Sequence, residues 1–123
     1  MQIVEWVQVE EGGKMIARQW VGETRESDAE AYAKYLDETG VRHCKGVPGN
    51  CGVLLMKRVY DDKAQFVFIS FWDSLAAIQA FAGPEYEKAV YYPEDHKFLL
   101  AMEPRVTHYE VEHRLQLQGL ASK

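Results

Sequence analysis

The spacing of apolar and polar positions along the chain switches several times between a period of two and a period of about 3.6 residues. Residues 15–21 are apolar-rich, which is typical of a short strand, and Gly22 is expected to end it. Ser27 and Glu30 match a capping box, and apolar residues then recur at helical spacing until Gly40 supplies a stop signal. A strand followed by a helix is therefore predicted.

Two β-rich, apolar segments come next, with a connection of hairpin length between them. They cover residues 51–59 and 64–72, and residues 60–63 join them. The Val-Pro-Gly-Asn sequence at 47–50 fits a type II turn, because proline presets φ and glycine accepts the positive-φ position. We therefore predict an antiparallel strand pair that starts just after this turn.

In the last third of the domain, apolar residues first recur at helical spacing and then alternate with polar residues. Ser74 or its neighbour Asp73 can cap a helix over residues 75–82, which the following Gly-Pro pair breaks. Residues 98–102 fit either a helical turn or an extended stretch. Residues 105–112 alternate between apolar and polar positions and predict a final strand.

This order of strand, helix, strand, strand, helix, strand is the ferredoxin-like βαββαβ arrangement of the α+β class. It predicts a four-stranded antiparallel sheet with both helices on one face. We divide the chain into an N-terminal extension (1–14), a ferredoxin-like domain (15–112) and a C-terminal tail (113–123). Residues 3–9 of the extension could add an edge strand.

Neither face of the predicted strand pair is polar, although two helices can cover only one face of a sheet. One set of alternating positions is Val53, Leu55, Phe66 and Phe68, and the other is Leu54, Met56, Val67, Ile69 and Phe71. An apolar second face predicts another layer. We favour a homodimer whose two sheets close into a dimeric α/β barrel. The alternative is that the extension, or the tail through Leu115, Leu117 and Leu120, covers this face.

Composition and charge narrow the classes of partner. A length of 123 residues fits one domain, and a net charge of −5 with no basic patch disfavours nucleic acid as a partner. No apolar run reaches the roughly 18 residues that span a bilayer, so no membrane partner is expected. The first residues lack the pattern of a secretory signal, which predicts a cytoplasmic protein.

Metal and nucleotide motifs are missing from the sequence. Cys44, Cys51 and His43 lie close along the chain, but no CxxC or HxxxH spacing accompanies them, so no metal is expected. No glycine-rich nucleotide loop is present either. We therefore expect no cofactor.

Three sequence segments resemble the antibiotic-biosynthesis-monooxygenase family of dimeric α/β barrels. They are Phe-Trp-Asp-Ser at 71–74, Phe-Ala-Gly-Pro at 81–84 and Ala-Val-Tyr-Tyr-Pro-Glu-Asp at 89–95, and Pro-Gly-Asn at 48–50 adds to the match. The resemblance implies the fold more than the chemistry. Members of this family range from cofactor-independent oxygenases, through haem-degrading enzymes, to small proteins with no assigned reaction.

The haem-degrading branch is a poor match. The resemblance to that branch would require an asparagine on the first strand, a tryptophan at the end of the third strand and a histidine on the second helix. Only Trp72 is present, and residues 75–82 contain no histidine that could ligate iron. We therefore argue against haem degradation.

The cofactor-free branch implies a substrate such as an anthrone or a dihydroquinone, whose anion reduces dioxygen directly. Donors in a dry cavity are needed to stabilise that anion. Trp72, Asn50 and His96 are our catalytic candidates, as ring platform, oxyanion donor and base. Their structural alternatives are core packing, local turn bonds and surface exposure.

Four further residues are candidates for substrate binding. Tyr91 and Tyr92 could each direct a phenol inward, and His43 could exchange a proton near neutral pH. Arg42, in the predicted loop before the second strand, could hold an anionic intermediate. His108, on the polar side of the last strand, is expected to be solvated.

The sequence thus favours a cofactor-independent monooxygenase acting on a small hydrophobic aromatic molecule. A non-catalytic ligand-binding or dimerisation module with the same fold is the alternative. An oxygenase requires a titratable group and a donor in one cavity, whereas a purely apolar cavity would favour the alternative.

Overall fold

The computed structural model describes residues 14–112. The strands are β1 (Ile16–Arg25), β2 (Asn50–Tyr60), β3 (Lys63–Trp72) and β4 (Thr107–Glu110). The helices are α1 (Ala29–Leu36), α2 (Arg42–Lys45), α3 (Leu75–Ala82) and α4 (Asp95–Phe98). A 3-10 turn, Glu26–Asp28, precedes α1, and a π-helical turn, Asp37–Val41, joins α1 to α2.

The four strands form one antiparallel sheet in the order β2-β3-β1-β4. This is the ferredoxin-like order, so the predicted α+β fold is confirmed. Strand β2 lies at one edge of the sheet, because it pairs only with β3, and β1 is central, because it pairs with both β3 and β4. The predicted edge strand at 3–9 and the tail residues 113–123 lie outside the described residues.

Strand β1 continues past Gly22, and the prediction that this glycine ends the strand is wrong. A Cβ atom at Gly22 would lie 2.4 Å from Cη2 of Trp20. The missing side chain therefore leaves room for the indole ring along the strand. Pairing with β3 continues as far as Arg25 opposite Lys63, which makes β1 a full-length central strand.

The first helical region is longer at both ends than the sequence predicts. It starts with the 3-10 turn, and no side-chain cap forms at Arg25 or Asp28, so the predicted capping box is absent. The backbone passes through Gly40 as a π-helical turn and ends only at Lys45. Turns of this kind often lie at functional sites, and Gly40 indeed lines the cavity described below.

The predicted start of α3 and the predicted turn at 47–50 are confirmed, whereas the predicted connection between β2 and β3 is too long. Ser74 Oγ accepts a hydrogen bond of 3.1 Å from the amide of Ala77 and caps α3. The turn at 47–50 closes with a 3.1 Å bond from the Asn50 amide to the Val47 carbonyl. Strands β2 and β3 pair up to Tyr60 opposite Lys63, so their connection has two residues rather than four.

Gly49 gives a direct test of this turn. Its φ of +98° is strained for any other residue, and an added Cβ would lie 2.5 Å from the Ala77 Cβ. We expect Gly49→Ala to lower the free energy of unfolding by about 2–4 kcal/mol, measured by urea denaturation. Gly46→Ala is the control, because its φ is −84° and its contacts are ordinary. Equal stability of the two variants would contradict this prediction.

The two faces of the sheet differ in what covers them. One face packs against the helices and carries the buried core, which includes Trp20, Phe66 and Trp72. The strand register places a second set of side chains on the opposite face, the open face. Its large apolar members are Val21, Leu54, Met56, Val67, Ile69, Phe71 and Tyr109. Leu54, Met56 and Tyr109 are 41%, 45% and 52% exposed.

Candidate functional site

A cavity lies between the covered face of the sheet and the helices. Its lining includes the aromatic residues Trp20, Tyr32, Phe68, Phe81, Tyr91 and Tyr92. Its volume is about 40 Å³, enough for only a few water molecules. The polar side chains in its lining include a guanidinium, a thiol, two hydroxyl types and one carboxylate, so the lining is not purely apolar.

Arg18 is the cation in this lining, and it is only 4% exposed. Its Nη1 donates to the Tyr86 carbonyl, and its Nη2 donates to the Lys88 carbonyl at 3.0 Å. Burial lowers the pKa of the Arg18 guanidinium to about 10, so it remains charged at neutral pH. The strand β1 thus carries a buried positive charge into the cavity.

His108 lies against Arg18 and is half-buried, so the expectation that it is solvated is wrong. Its Nε2 is 3.1 Å from Arg18 Nη1, and its ring centroid is 5.3 Å from that of Tyr86. Since a guanidinium can only donate, Nε2 must accept. Burial, and then the Arg18 charge, lower the pKa of His108. His108 is therefore neutral and adds no second cation.

Trp72 is fully buried and does not line the cavity. Its indole Nε1 donates to Ser70 Oγ at 2.8 Å, and its ring packs 5.5 Å from that of Phe81. Both Ser70 and Phe81 line the cavity. Trp72 therefore positions two cavity residues. Cys44 lies beside them, and burial raises the pKa of its thiol to about 12, which keeps it protonated.

Tyr92 connects the cavity to solvent. Its ring lines the cavity, and its hydroxyl lies 2.8 Å from Nδ1 of His43, which is exposed on α2. Burial raises the pKa of the Tyr92 phenol, followed by the nearby Cys44 and Asp95. The phenol thus stays protonated. It can accept a proton only if it gives its own proton to His43 at the same time. The structure brings these two predicted residues together.

Asp95 holds Tyr92 in place. One carboxylate oxygen accepts from the Tyr32 hydroxyl at 2.6 Å, and the other accepts from the backbone amide of Tyr92 at 2.6 Å. Asp95 is buried at the start of α4. Burial and the bond to Asp95 raise the pKa of Tyr32. Both carboxylate oxygens are thus engaged in fixing the cavity wall.

Tyr91 also lines the cavity, but its hydroxyl is used in packing contacts. It donates to the Glu103 carbonyl at 2.6 Å and accepts from the Trp20 indole at 3.2 Å. Burial raises the pKa of the Tyr91 phenol. Its ring therefore supplies wall area, and its hydroxyl anchors the segment that carries Tyr92.

Three other predicted site residues lie outside the cavity lining. Asn50 bonds to the Phe71 carbonyl and to Gly52 at the β-bulge, so its amide supports the turn. His96 is exposed on α4. Arg42 is exposed on α2, and its predicted place in a loop is wrong because the helix continues past Gly40.

Within residues 14–112, no three His, Cys, Asp or Glu side chains are arranged to hold a metal ion. In that same part of the chain no helix is long and apolar enough to cross a membrane.

Solved structures share this architecture over most of the chain. A candidate antibiotic biosynthesis monooxygenase from Bacillus cereus has a TM-score of 0.60 at 12% identity, covering 84% of this chain and 98% of its own. Another such candidate, from Nitrosomonas europaea, has a TM-score of 0.53 at 15% identity, covering 88% and 92%. A protein of unknown function from Nitrosomonas europaea has a TM-score of 0.61 at 14% identity, covering 87% and 97%. No family profile and no curated protein matches the sequence.

The chain shares the ferredoxin-like fold of these solved structures. The predicted resemblance to antibiotic biosynthesis monooxygenases is confirmed at the level of the fold. At these low identities the likeness concerns the fold alone, so the chemistry has to come from the cavity itself.

Sequence reasoning missed several cavity residues. Arg18 alternates with Ile16 and Trp20 on one side of β1, and a charge in an otherwise apolar stripe is a signal that could have found it. Ser70 and Asp95 carried no comparable signal, because a single polar residue near a strand end or loop is common. Their place in the cavity depends on the tertiary fold.

Proposed function

We propose that the protein is a cofactor-independent monooxygenase acting on a small aromatic molecule with an ionisable oxygen. The observation that carries this proposal is the pair formed by Tyr92 and His43, which links a ring-lined cavity to solvent. Direct reaction of an organic anion with dioxygen requires that the substrate proton leave a dry site. A half-buried phenol bonded to an exposed imidazole supplies that route.

The proton would move in one chain. Tyr92 donates its hydroxyl proton to Nδ1 of His43 while its oxygen accepts the substrate proton. The imidazolium then releases a proton to solvent, because His43 is exposed. The high pKa of the Tyr92 phenol supports a concerted transfer, since a free phenolate is disfavoured there.

The reaction balances without a cofactor. A dihydroquinone and dioxygen give a hydroxyquinone and water: one oxygen atom enters a ring C–H position, and the other leaves as water. The substrate supplies all the electrons, and its ionised form is the reductant. The protein supplies deprotonation, a cation and exclusion of water.

The cavity volume favours a single ring over three fused rings. A cavity of about 150 Å³ is known to take benzene, whereas this one measures about 40 Å³. The walls must therefore move even for one ring. Phe81 lies near the end of α3, and Tyr92 lies in the irregular stretch between α3 and α4. We propose dihydroquinones ahead of anthrones on this ground.

We also propose that the working unit is a homodimer formed through the open face. That face carries seven large apolar side chains, distributed over all four strands. Contiguous apolar surface of this kind marks interaction sites. Two such faces packed together would bury them in a sheet-on-sheet layer.

An oxygen electrode tests the reaction. With a panel of dihydroquinones and anthrones, we expect uptake above the buffer rate for dihydroquinones. Tyr92→Phe should lower that rate about 100-fold, since positioned acid–base groups contribute roughly 10²–10⁴-fold. His43→Gln should lower it in the same direction, with a smaller effect at high buffer concentration because buffer can accept the proton.

Tyr35→Phe is the matched control. It removes a phenol hydroxyl that bonds to the Glu94 amide outside the cavity, so the rate should not change. No uptake across the panel would overturn the oxygenase proposal and favour the non-catalytic module. Uptake that Tyr92→Phe leaves intact would overturn the proton route.

A further inference from the structure

We infer that Arg18 binds a single ionised oxygen on an aromatic ring, so that the cavity selects phenolate or enolate ligands. This inference rests on the proposed function for the identity of the ligand. Its geometric basis is separate. It concerns recognition of an anion and would hold for a ligand that never reacts with oxygen.

The charge of Arg18 has no ionic partner in the part of the chain that the structure describes. Within residues 14–112 no carboxylate lies within 4.0 Å of its guanidinium. Asp95, the carboxylate in the cavity lining, is instead engaged by Tyr32 and the Tyr92 amide. A buried charge without a counter-ion is unfavourable. An anion entering the cavity would supply the missing partner.

Arg18 also keeps donors available. A guanidinium has five N–H groups, and three hydrogen bonds are formed, to Tyr86, Lys88 and His108. Among the described residues, the other two N–H groups, one on Nε and one on Nη2, form no hydrogen bond and can donate to a ligand. The bonds already formed fix the guanidinium in position, so it binds without a further loss of side-chain freedom.

The rest of the lining sets the class of anion. Arg18 is the only cation among the lining residues, and Asp95 is also present, so a multiply charged phosphate is disfavoured. Ser70, Cys44 and Tyr92 add neutral donors, and the walls are aromatic. An aromatic molecule with one negative oxygen fits this lining. Its oxygen can bind the single cation and the neutral donors, and its flat ring can pack against the aromatic walls.

The test uses 4-nitrophenol, whose ionised form absorbs visible light and whose neutral form does not. Bound beside an opposite charge, the pKa of an acid falls by about 1–3. We expect the protein to lower the pKa of bound 4-nitrophenol by that amount, seen as phenolate absorbance at a pH where the free probe is neutral. On ionisation the O–H bond breaks, its electron pair stays on oxygen, and the proton passes to buffer.

Variants separate recognition from a purely structural role. Arg18→Lys should retain part of the effect, whereas Arg18→Met should abolish it. Arg25→Met is the control, because Arg25 is exposed and pairs only with Asp28 among the described residues. If Arg42→Met rather than Arg18→Met removes the effect, or if 4-nitrobenzoate binds more tightly than 4-nitrophenol, the inference is wrong.

A measurement on the unaltered protein covers the case in which Arg18→Met does not fold. With ¹⁵N-labelled arginine, the Nε–H resonance of Arg18 should shift when 4-nitrophenol is added, while those of the exposed arginines stay unchanged. An unchanged Arg18 resonance at saturating probe would overturn the inference. Oxygen uptake plays no part in either readout, so failure of the oxygenase proposal and failure of this inference are distinguishable.

Discussion

Trp72→Ala is expected to lower the free energy of unfolding by about 3–5 kcal/mol, the range for removing a large buried aromatic side chain. Trp72 is fully buried, packs on Phe81, and shares a core cluster with Ile78 and Cys44. Alanine would leave a void that this β-strand cannot close, and the Ser70 hydroxyl would lose its donor. Urea denaturation monitored by circular dichroism measures the change.

Two further variants show whether the loss of stability comes from removing the buried ring of Trp72. Trp72→Phe keeps most of the packing and removes only the N–H, so a loss of about 1 kcal/mol is expected. Leu100→Ala, at an exposed position, should change stability by less than about 1 kcal/mol. If Trp72→Ala were as stable as the wild type but failed to bind 4-nitrophenol, Trp72 would be a direct ligand contact, as the sequence suggested.

The fold was predictable because local signals agreed with the tertiary arrangement. Ser74 caps α3 through its own hydroxyl, and the Pro-Gly turn sets the start of β2. Both depend on neighbours in sequence, which is why they were found. The predicted ends of the first strand and of the first helix were wrong, because both were placed at glycines that serve packing and do not end an element. Gly22 makes room for Trp20, and Gly40 lies against Phe68.

The site was less predictable, because its residues come from six separate stretches of the chain, 18–20, 32–44, 68–70, 81, 90–95 and 106. Tyr92 and His43 were chosen for their chemistry, and the fold brings them within hydrogen-bond distance across 49 positions. Arg18 is not among the candidates that the sequence offers, since a charged side chain is rarely buried in a strand. Only the packing of the 86–88 carbonyls around Arg18 shows why it is tolerated there.

A single charge placed on the open face should dissociate a homodimer that forms through this face. In Met56→Asp, a homodimer formed through that face would bring two carboxylates into an apolar layer. We expect its dissociation constant to rise at least about 100-fold, since burying an unpaired charge costs several kcal/mol. Met56 is 45% exposed in the protomer, so the protomer itself should stay folded. Sedimentation velocity at two concentrations measures the change.

Val59→Asp is the matched control, because Val59 lies on the same strand, is 46% exposed, and points to the opposite face of the sheet. It should leave the dimer intact. A wild-type protein that sediments as a monomer at every concentration would refute the dimer, and dissociation by Val59→Asp alone would place the interface on the helical side. Dissociation by Met56→Asp alone would mean that the seven large apolar side chains of the open face are buried in the functional unit, so that this short chain completes its second layer with a second copy of itself.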